Sequence, residues 1–267
     1  MVQARPGSRL MLGMRVDATS YADAADRILS WAESGDSRYV CAATVNNAME
    51  AHDRPEFKRT MNEADLVTPD GMPLVWGLRL LGVAGQTRVY GPDLTPLVCE
   101  MASDRGVPVG FYGGSPEALK TLVETMKRRF PALEIAYAWS PPFRDLSPEE
   151  EARIVEEING SGARVLFIGL GTPKQEEWMM RARGDVRAVM VGVGAAFDFL
   201  SGMKKQAPRW MQARGLEWLY RLTHEPRRLW RRYVYRNPRF VILFGAQVLR
   251  EKAGSGRLSI ARRGVSR

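Results

Sequence analysis

Two charged residues eighteen positions apart carry the first chemical signal in this chain: Asp70, in Pro69-Asp70-Gly71, and Arg88, just ahead of Gly91-Pro92-Asp93. A carboxylate on a rigid turn can take a proton from an attacking hydroxyl, and a guanidinium close by suits a departing anion. Proline fixes its φ and glycine accepts conformations closed to other residues, so Pro69-Asp70-Gly71 reads as a turn. The apolar run Ala64 to Thr68 before it reads as a strand, and Pro73 to Leu81 after it as a helix. Asp70 then stands at the carboxyl end of a strand, where ligands gather in open α/β sheets. The same spacing is also satisfied by a helix-capping Asp and a solvated Arg.

Other strand ends carry comparable residues. The apolar stretch Arg38 to Thr44 runs into Thr44-Val45-Asn46-Asn47, where Thr44 and Asn46 can cap the next helix or bind a ligand at its N-terminus. Val107 to Tyr112 ends in Gly113-Gly114-Ser115-Pro116, whose free backbone N–H groups could cradle a phosphate or a sugar hydroxyl. Arg164 to Leu170 leads to Gly171-Thr172-Pro173-Lys174-Gln175, and Arg187 to Val193 to Gly194-Ala195-Ala196-Phe197-Asp198. None of these is a GxGxxG motif or a P-loop. Gly113, Gly114, Gln175 and Asp198 are read as substrate-binding positions on a common rim.

The elements that position this rim alternate between strand and helix, which implies an α/β fold with a Rossmann-like parallel sheet. Leu10 to Val16 reads as a first strand, followed by a helix capped by Ser20. Residues 1–206 are read as the catalytic domain and residues 207–267 as a helical appendage.

Charge separates those two parts. Residues 1–203 hold 22 Lys and Arg against 27 Asp and Glu, whereas residues 204–267 hold 17 against 3. From Lys204 to Arg239 the chain interleaves 11 basic residues with Trp, Tyr and Leu, a composition that suits an anionic membrane surface or a nucleic acid. If Pro226 only bends the helix, Arg214, Arg221, Arg228 and Arg231 form one stripe. The longest strongly apolar stretch near the end, Phe240 to Leu249, is too short to span a bilayer. Two cysteines, Cys41 and Cys99, make no disulfide framework, and the start lacks a secretory h-region, so the expected setting is the cytoplasm.

Several of these stretches together resemble the WecG/TagA/CpsF glycosyltransferases, glycosyltransferase family 26. They are Thr44-Val45-Asn46, the run 64–73 around Asp70, Arg88 to Leu94, Phe111 to Gly114, Gly169 to Glu176, Gly192 to Asp198, and the tail segments 215–222 and 225–228. The resemblance implies an inverting transferase of the GT-E architecture that moves a sugar from a UDP-sugar to a polyprenyl-diphosphate-linked acceptor in cell-surface polysaccharide synthesis. It puts the catalytic aspartate at Asp70, the diphosphate-facing arginine at Arg88, and pocket residues at Thr44, Asn46 and Gln175. It makes Arg221, Arg228 and Arg231 the residues that complete the site when the appendage docks on the inner face of the plasma membrane. Members use N-acetylmannosamine and also other sugars, and the motifs here do not choose between them. Without a DxD or a histidine cluster, turnover is expected to need no metal and no cofactor, with arginines in the metal's place. The exposed rim and apolar tail leave homo-oligomerisation open. The competing reading is a non-catalytic nucleotide- or nucleic-acid-binding protein gripping phosphates with its tail; the absence of any nucleic-acid module counts against it.

Overall fold

The computed structural model describes residues 7–263. The chain opens with an antiparallel hairpin, β1 (Ser8–Met11) and β2 (Met14–Asp17). The single strand expected from Leu10 to Val16 is thus two. Leu12 and Gly13 both take positive φ, 53° and 85°, and such a pair reverses the chain in the sense that matches strand twist.

Helix α1 (Tyr21–Glu33) begins at Ser20, whose hydroxyl accepts from the Asp23 N–H as foreseen. Then come β3 (Arg38–Ala43), α2 (Val45–Asp53), α3 (Pro55–Glu63), β4 (Leu66–Pro69), α4 (Met72–Leu80) and α5 (Gly91–Arg105). The second half adds β5 (Val109–Gly113), α6 (Pro116–Arg129), β6 (Ile135–Trp139), α7 (Pro148–Ser161), β7 (Val165–Gly169), α8 (Lys174–Ala182), β8 (Val189–Gly192) and α9 (Ala196–Leu200). Six strands form one parallel sheet in the order β4-β3-β8-β7-β5-β6. Side chains alternate across it: Leu166 and Ile168 pack with α2, α3 and α8 on one face, Val165 and Phe167 with α1, α5 and α6 on the other. Each such fully buried side chain stabilises the fold by about 1.5–3 kcal/mol.

The winding places the site. The chain steps outward from β3 to β4 on one side and from β5 to β6 on the other, and β7 and β8 fill the gap. That reversal opens a crevice beyond the strands' carboxyl ends. The loops holding Thr44, Asp70, Gly114, Thr172 and Gly194 all leave the sheet at that edge.

After α9 the chain forms α10 (Arg209–Ala213), α11 (Glu217–His224), α12 (Pro226–Trp230), a π-helical stretch Arg231–Arg236, and α13 (Asn237–Arg263). The single arginine stripe is therefore not formed. The helix breaks at Gly215 and again at Glu225, whose φ of −132° and ψ of 56° precede Pro226, so Arg214, Arg221 and Arg228 stand on three separate elements. Proline cannot donate the N–H that a continuous helix needs there. Beyond these breaks the segment packs back onto the sheet domain. Phe240 and Phe244 join the core that holds Met11, Leu74 and Leu78, and Gln247 donates to the Leu10 carbonyl (2.7 Å) and accepts from the Leu12 N–H (2.8 Å). Among the described residues no helix is long and apolar enough to cross a membrane.

Candidate active site

Asp70 is fixed before its side chain makes any contact, because its N–H donates to the Ala43 carbonyl of the neighbouring strand at 2.9 Å. Its Oδ2 accepts from the Gly91 N–H at 3.0 Å, and its Oδ1 lies 3.3 Å from Nη2 of Arg88. Arg88 Nε also donates to the Asp70 carbonyl. The ring of Tyr90 lies 3.7 Å from the Arg88 guanidinium carbon. Asp70 is only 8% exposed. Desolvation pushes its carboxyl pKa up, and the opposing pull of Arg88 and the Gly91 N–H does not cancel this. A carboxylate raised in this way is a stronger base than one in water.

Thr44 caps α2, its hydroxyl accepting from the Asn46 N–H at 3.3 Å while Asn47 closes a reciprocal capping box. The tail reads the same two side chains. Arg232 Nη2 donates to Thr44 Oγ1 at 3.1 Å, and Arg236 Nη1 donates to Asn46 Oδ1 at 2.7 Å while pairing with Glu50. Gln175 opens α8, where its Oε1 accepts from the Gly194 N–H at 3.1 Å and its Nε2 donates to the buried Glu176 at 3.0 Å. Asp198 pairs with Lys204 at 2.6 Å.

One cavity of about 1290 Å³ is lined by Thr44, Asn46, Asp70, Arg88, Gly114, Gln175 and Asp198 from the sheet side, and by Arg221, Arg228 and Arg231 from the tail. Gly113 does not line it. A Cβ there would lie 2.7 Å from the Gly169 carbonyl carbon, and its φ is 120°, so the residue serves strand-to-strand approach. Gly113→Ala is therefore expected to cost about 3 kcal/mol of stability, measured by denaturant melts.

Sequence reasoning missed Arg232 and Glu217 in the lining of this site, and Glu176 behind Gln175. Arg232 lines the cavity beside Arg231, and desolvation pulls its guanidinium pKa below the ordinary value against the influence of Tyr233. Glu217 reaches Arg88 from α11 at 2.7 Å. Glu176 is fully buried and accepts from Asn47, Thr172 and Gln175. The arginine had no distinguishing spacing, but Glu217 carried a signal as one of two acids between Lys204 and Arg239. Arg228 pairs with Glu225 at 2.8 Å, whereas Arg221, Arg231 and Arg232 have no ion-pair partner among the described residues. Arg221 sits 5.5 Å over the Phe199 ring, and no hydrogen bond reaches its Nε among those residues. A wall of cations with so few carboxylate partners suits an anionic ligand. Among the described residues no group of three or more His, Cys, Asp or Glu is arranged to hold a metal ion.

Residues 9–254 match the Glycosyl transferase WecG/TagA/CpsF family. The chain belongs to that family. It is also 32% identical over 195 residues to the N-acetylglucosaminyldiphosphoundecaprenol N-acetyl-beta-D-mannosaminyltransferase of Bacillus spizizenii, covering 73% of this chain and 74% of the relative. The family match runs through residue 207, so both walls of the cavity fall within the WecG/TagA/CpsF glycosyltransferase unit.

Proposed function

We propose that this glycosyltransferase moves a hexose-type sugar from a UDP-sugar to a polyprenyl-diphosphate-linked glycan, with inversion at the anomeric carbon. The observation that carries the reading is the buried Asp70 carboxylate, raised by desolvation, at the edge of a cavity walled by arginines. The acceptor class follows the Bacillus relative, named for transfer to a diphosphoundecaprenol-linked sugar.

In the proposed step the acceptor hydroxyl attacks C1 of the donor sugar and its proton passes to an oxygen of Asp70. The bond from C1 to the diphosphate oxygen breaks on the opposite face, and UDP leaves with the electron pair. Arg88, Arg221 and Arg232, with Arg228 and Arg231 at the mouth, stabilise the charge that develops on the diphosphate. Thr44, Asn46 and Gln175 orient the donor; the Gly114 N–H, expected from the sequence to be free for a phosphate, is instead bonded to the Gly169 carbonyl at 3.1 Å. No metal is required, because fixed guanidinium groups supply the positive charge. The exposed Trp210, Trp230, Tyr235, Val241 and Ile242, interleaved with arginines, suit the anionic inner face of a membrane, where a lipid-linked acceptor is presented.

The test is transfer from a panel of UDP-sugars to a prenyl-diphosphate-linked N-acetylglucosamine in the presence of EDTA. Turnover with one donor is expected, and that donor names the sugar. A strict requirement for added divalent ion would remove the arginines from their assigned role, and absence of UDP binding would remove the donor class.

A further inference from the structure

Glu217 has no role in the mechanism above. It opens α11 in the most basic part of the chain, yet its carboxylate forms its ion pair with the sheet domain and not with a tail arginine. Its Oε2 lies 2.7 Å from Nη2 of Arg88, and its Oε1 accepts a hydrogen bond from the Tyr90 hydroxyl at 3.1 Å. The Glu217 side chain is 13% exposed, and the residue lines the same cavity. The Nη2 atom it meets is the one that faces Asp70 at 3.3 Å. One guanidinium is thus shared by two carboxylates, one from the end of β4 and one from the tail.

Both carboxylates lie against the cation assigned to the departing diphosphate. Asp70 already pairs with Arg88, so Glu217 is a second anion on that one guanidinium, with Arg221 the next cation within its electrostatic reach. Arg88 and Glu217 both line the cavity, so phosphate oxygens of a ligand that met this guanidinium would make the short ionic contact that Glu217 makes. A phosphate reaching that Nη2 would be a third anion around one guanidinium, and Glu217, the nearer of the two carboxylates, would repel it in a partly desolvated site.

We propose that Glu217 is a built-in counter-anion of Arg88, which the diphosphate of a nucleotide displaces on binding, so that Glu217 sets nucleotide affinity and ties occupancy of the site to the docking of α11. The proposal rests on the nucleotide reading above and adds the residue that competes with it. Tyr90 is the second half of the device: its hydroxyl holds Oε1 in place while its ring supports Arg88 from beneath.

The test is equilibrium binding of UDP and, separately, of inorganic pyrophosphate to the full chain and to Glu217→Gln, at one fixed ionic strength. The glutamine keeps the size and the Tyr90 contact while removing the charge. Both probes are expected to bind the variant about tenfold tighter, the low end for coupling between close charge pairs. In an Arg88→Gln background the gain should vanish, because the competition is for that guanidinium. Tyr90→Phe, which frees Oε1 alone, should give a smaller gain in the same direction, and it carries the test if Glu217→Gln does not fold. Unchanged or weaker binding of both probes overturns the proposal, as does a gain that persists without Arg88. Tighter pyrophosphate binding with no UDP binding by either form would keep the counter-anion and sink the nucleotide reading. UDP bound equally by both forms would do the reverse, and binding of neither probe would sink both.

Discussion

Asp70→Asn is expected to lower transfer about 10³-fold while leaving UDP affinity within a few-fold of wild type, in line with the usual worth of a positioned general base. The asparagine oxygen can still accept from the Gly91 N–H, and the main-chain bonds to Ala43 and Arg88 do not involve the side chain. The lost function is proton acceptance. The pH dependence of wild-type kcat/KM checks the same assignment. Desolvation raises the Asp70 pKa, so the ionised base is present at high pH and lost as pH falls through a pKa higher than the side chain's ordinary one. An acid limb at an ordinary carboxylate pKa would place the base elsewhere, with Asp93 or Asp198 the next carboxylates to try. Stability gives an independent sign. A carboxyl whose folded pKa exceeds its unfolded value stabilises the fold below the unfolded pKa and loses that contribution as pH rises through the folded one. At neutral pH the ionised Asp70 is therefore a cost that Asn removes, and thermal melts should show Asp70→Asn no less stable than wild type.

Much of this site was legible because its parts are local to strand ends. Punctuation by Pro69, Gly71 and the Gly171 loop announces where strands stop, and a parallel sheet gathers all such stops on one edge. Asp70 and Arg88 meet because the residues between them fold as one helix and a return loop, with Val89 bonded back to Pro69. Periodicity failed where a break in the helix decides geometry. Arg214, Arg221 and Arg228 recur every seven residues, but Gly215 and the Glu225-Pro226 break turn Arg221 into the cavity and leave Arg214 exposed near Trp210. Contacts that close the site from the tail, Tyr90 with Glu217 and Thr44 with Arg232, join residues 127 and 188 positions apart. No local pattern encodes such pairs; they follow from Phe240, Phe244 and Gln247 anchoring α13 to the opening hairpin.

Arg232→Met is expected to cut transfer about 10²-fold and to raise the melting temperature. The guanidinium donates to Thr44 Oγ1, faces the cavity, and has no ion-pair partner among the described residues. Desolvation and the like charges of Arg221 and Arg228 all act to lower its pKa, which means that holding it charged there costs the fold free energy. Methionine removes that cost and fills a similar volume. Thr44 keeps its bonds to Asn46 and Asn47, so the α2 cap survives. What the variant loses is a preplaced positive charge aimed at an anion that grows as the donor's glycosidic bond breaks, a contribution of about 10²–10³ for one such donor group elsewhere. The loss should therefore fall on kcat more than on KM, because the charge on the leaving diphosphate is greater in the transition state than in the bound donor. Arg214→Met is the control, since that side chain is exposed and outside the cavity, and it should change neither rate nor stability appreciably. A destabilised Arg232→Met with normal kcat would make Arg232 a strut for Thr44, and the developing charge would then rest on Arg88 and Arg221 alone.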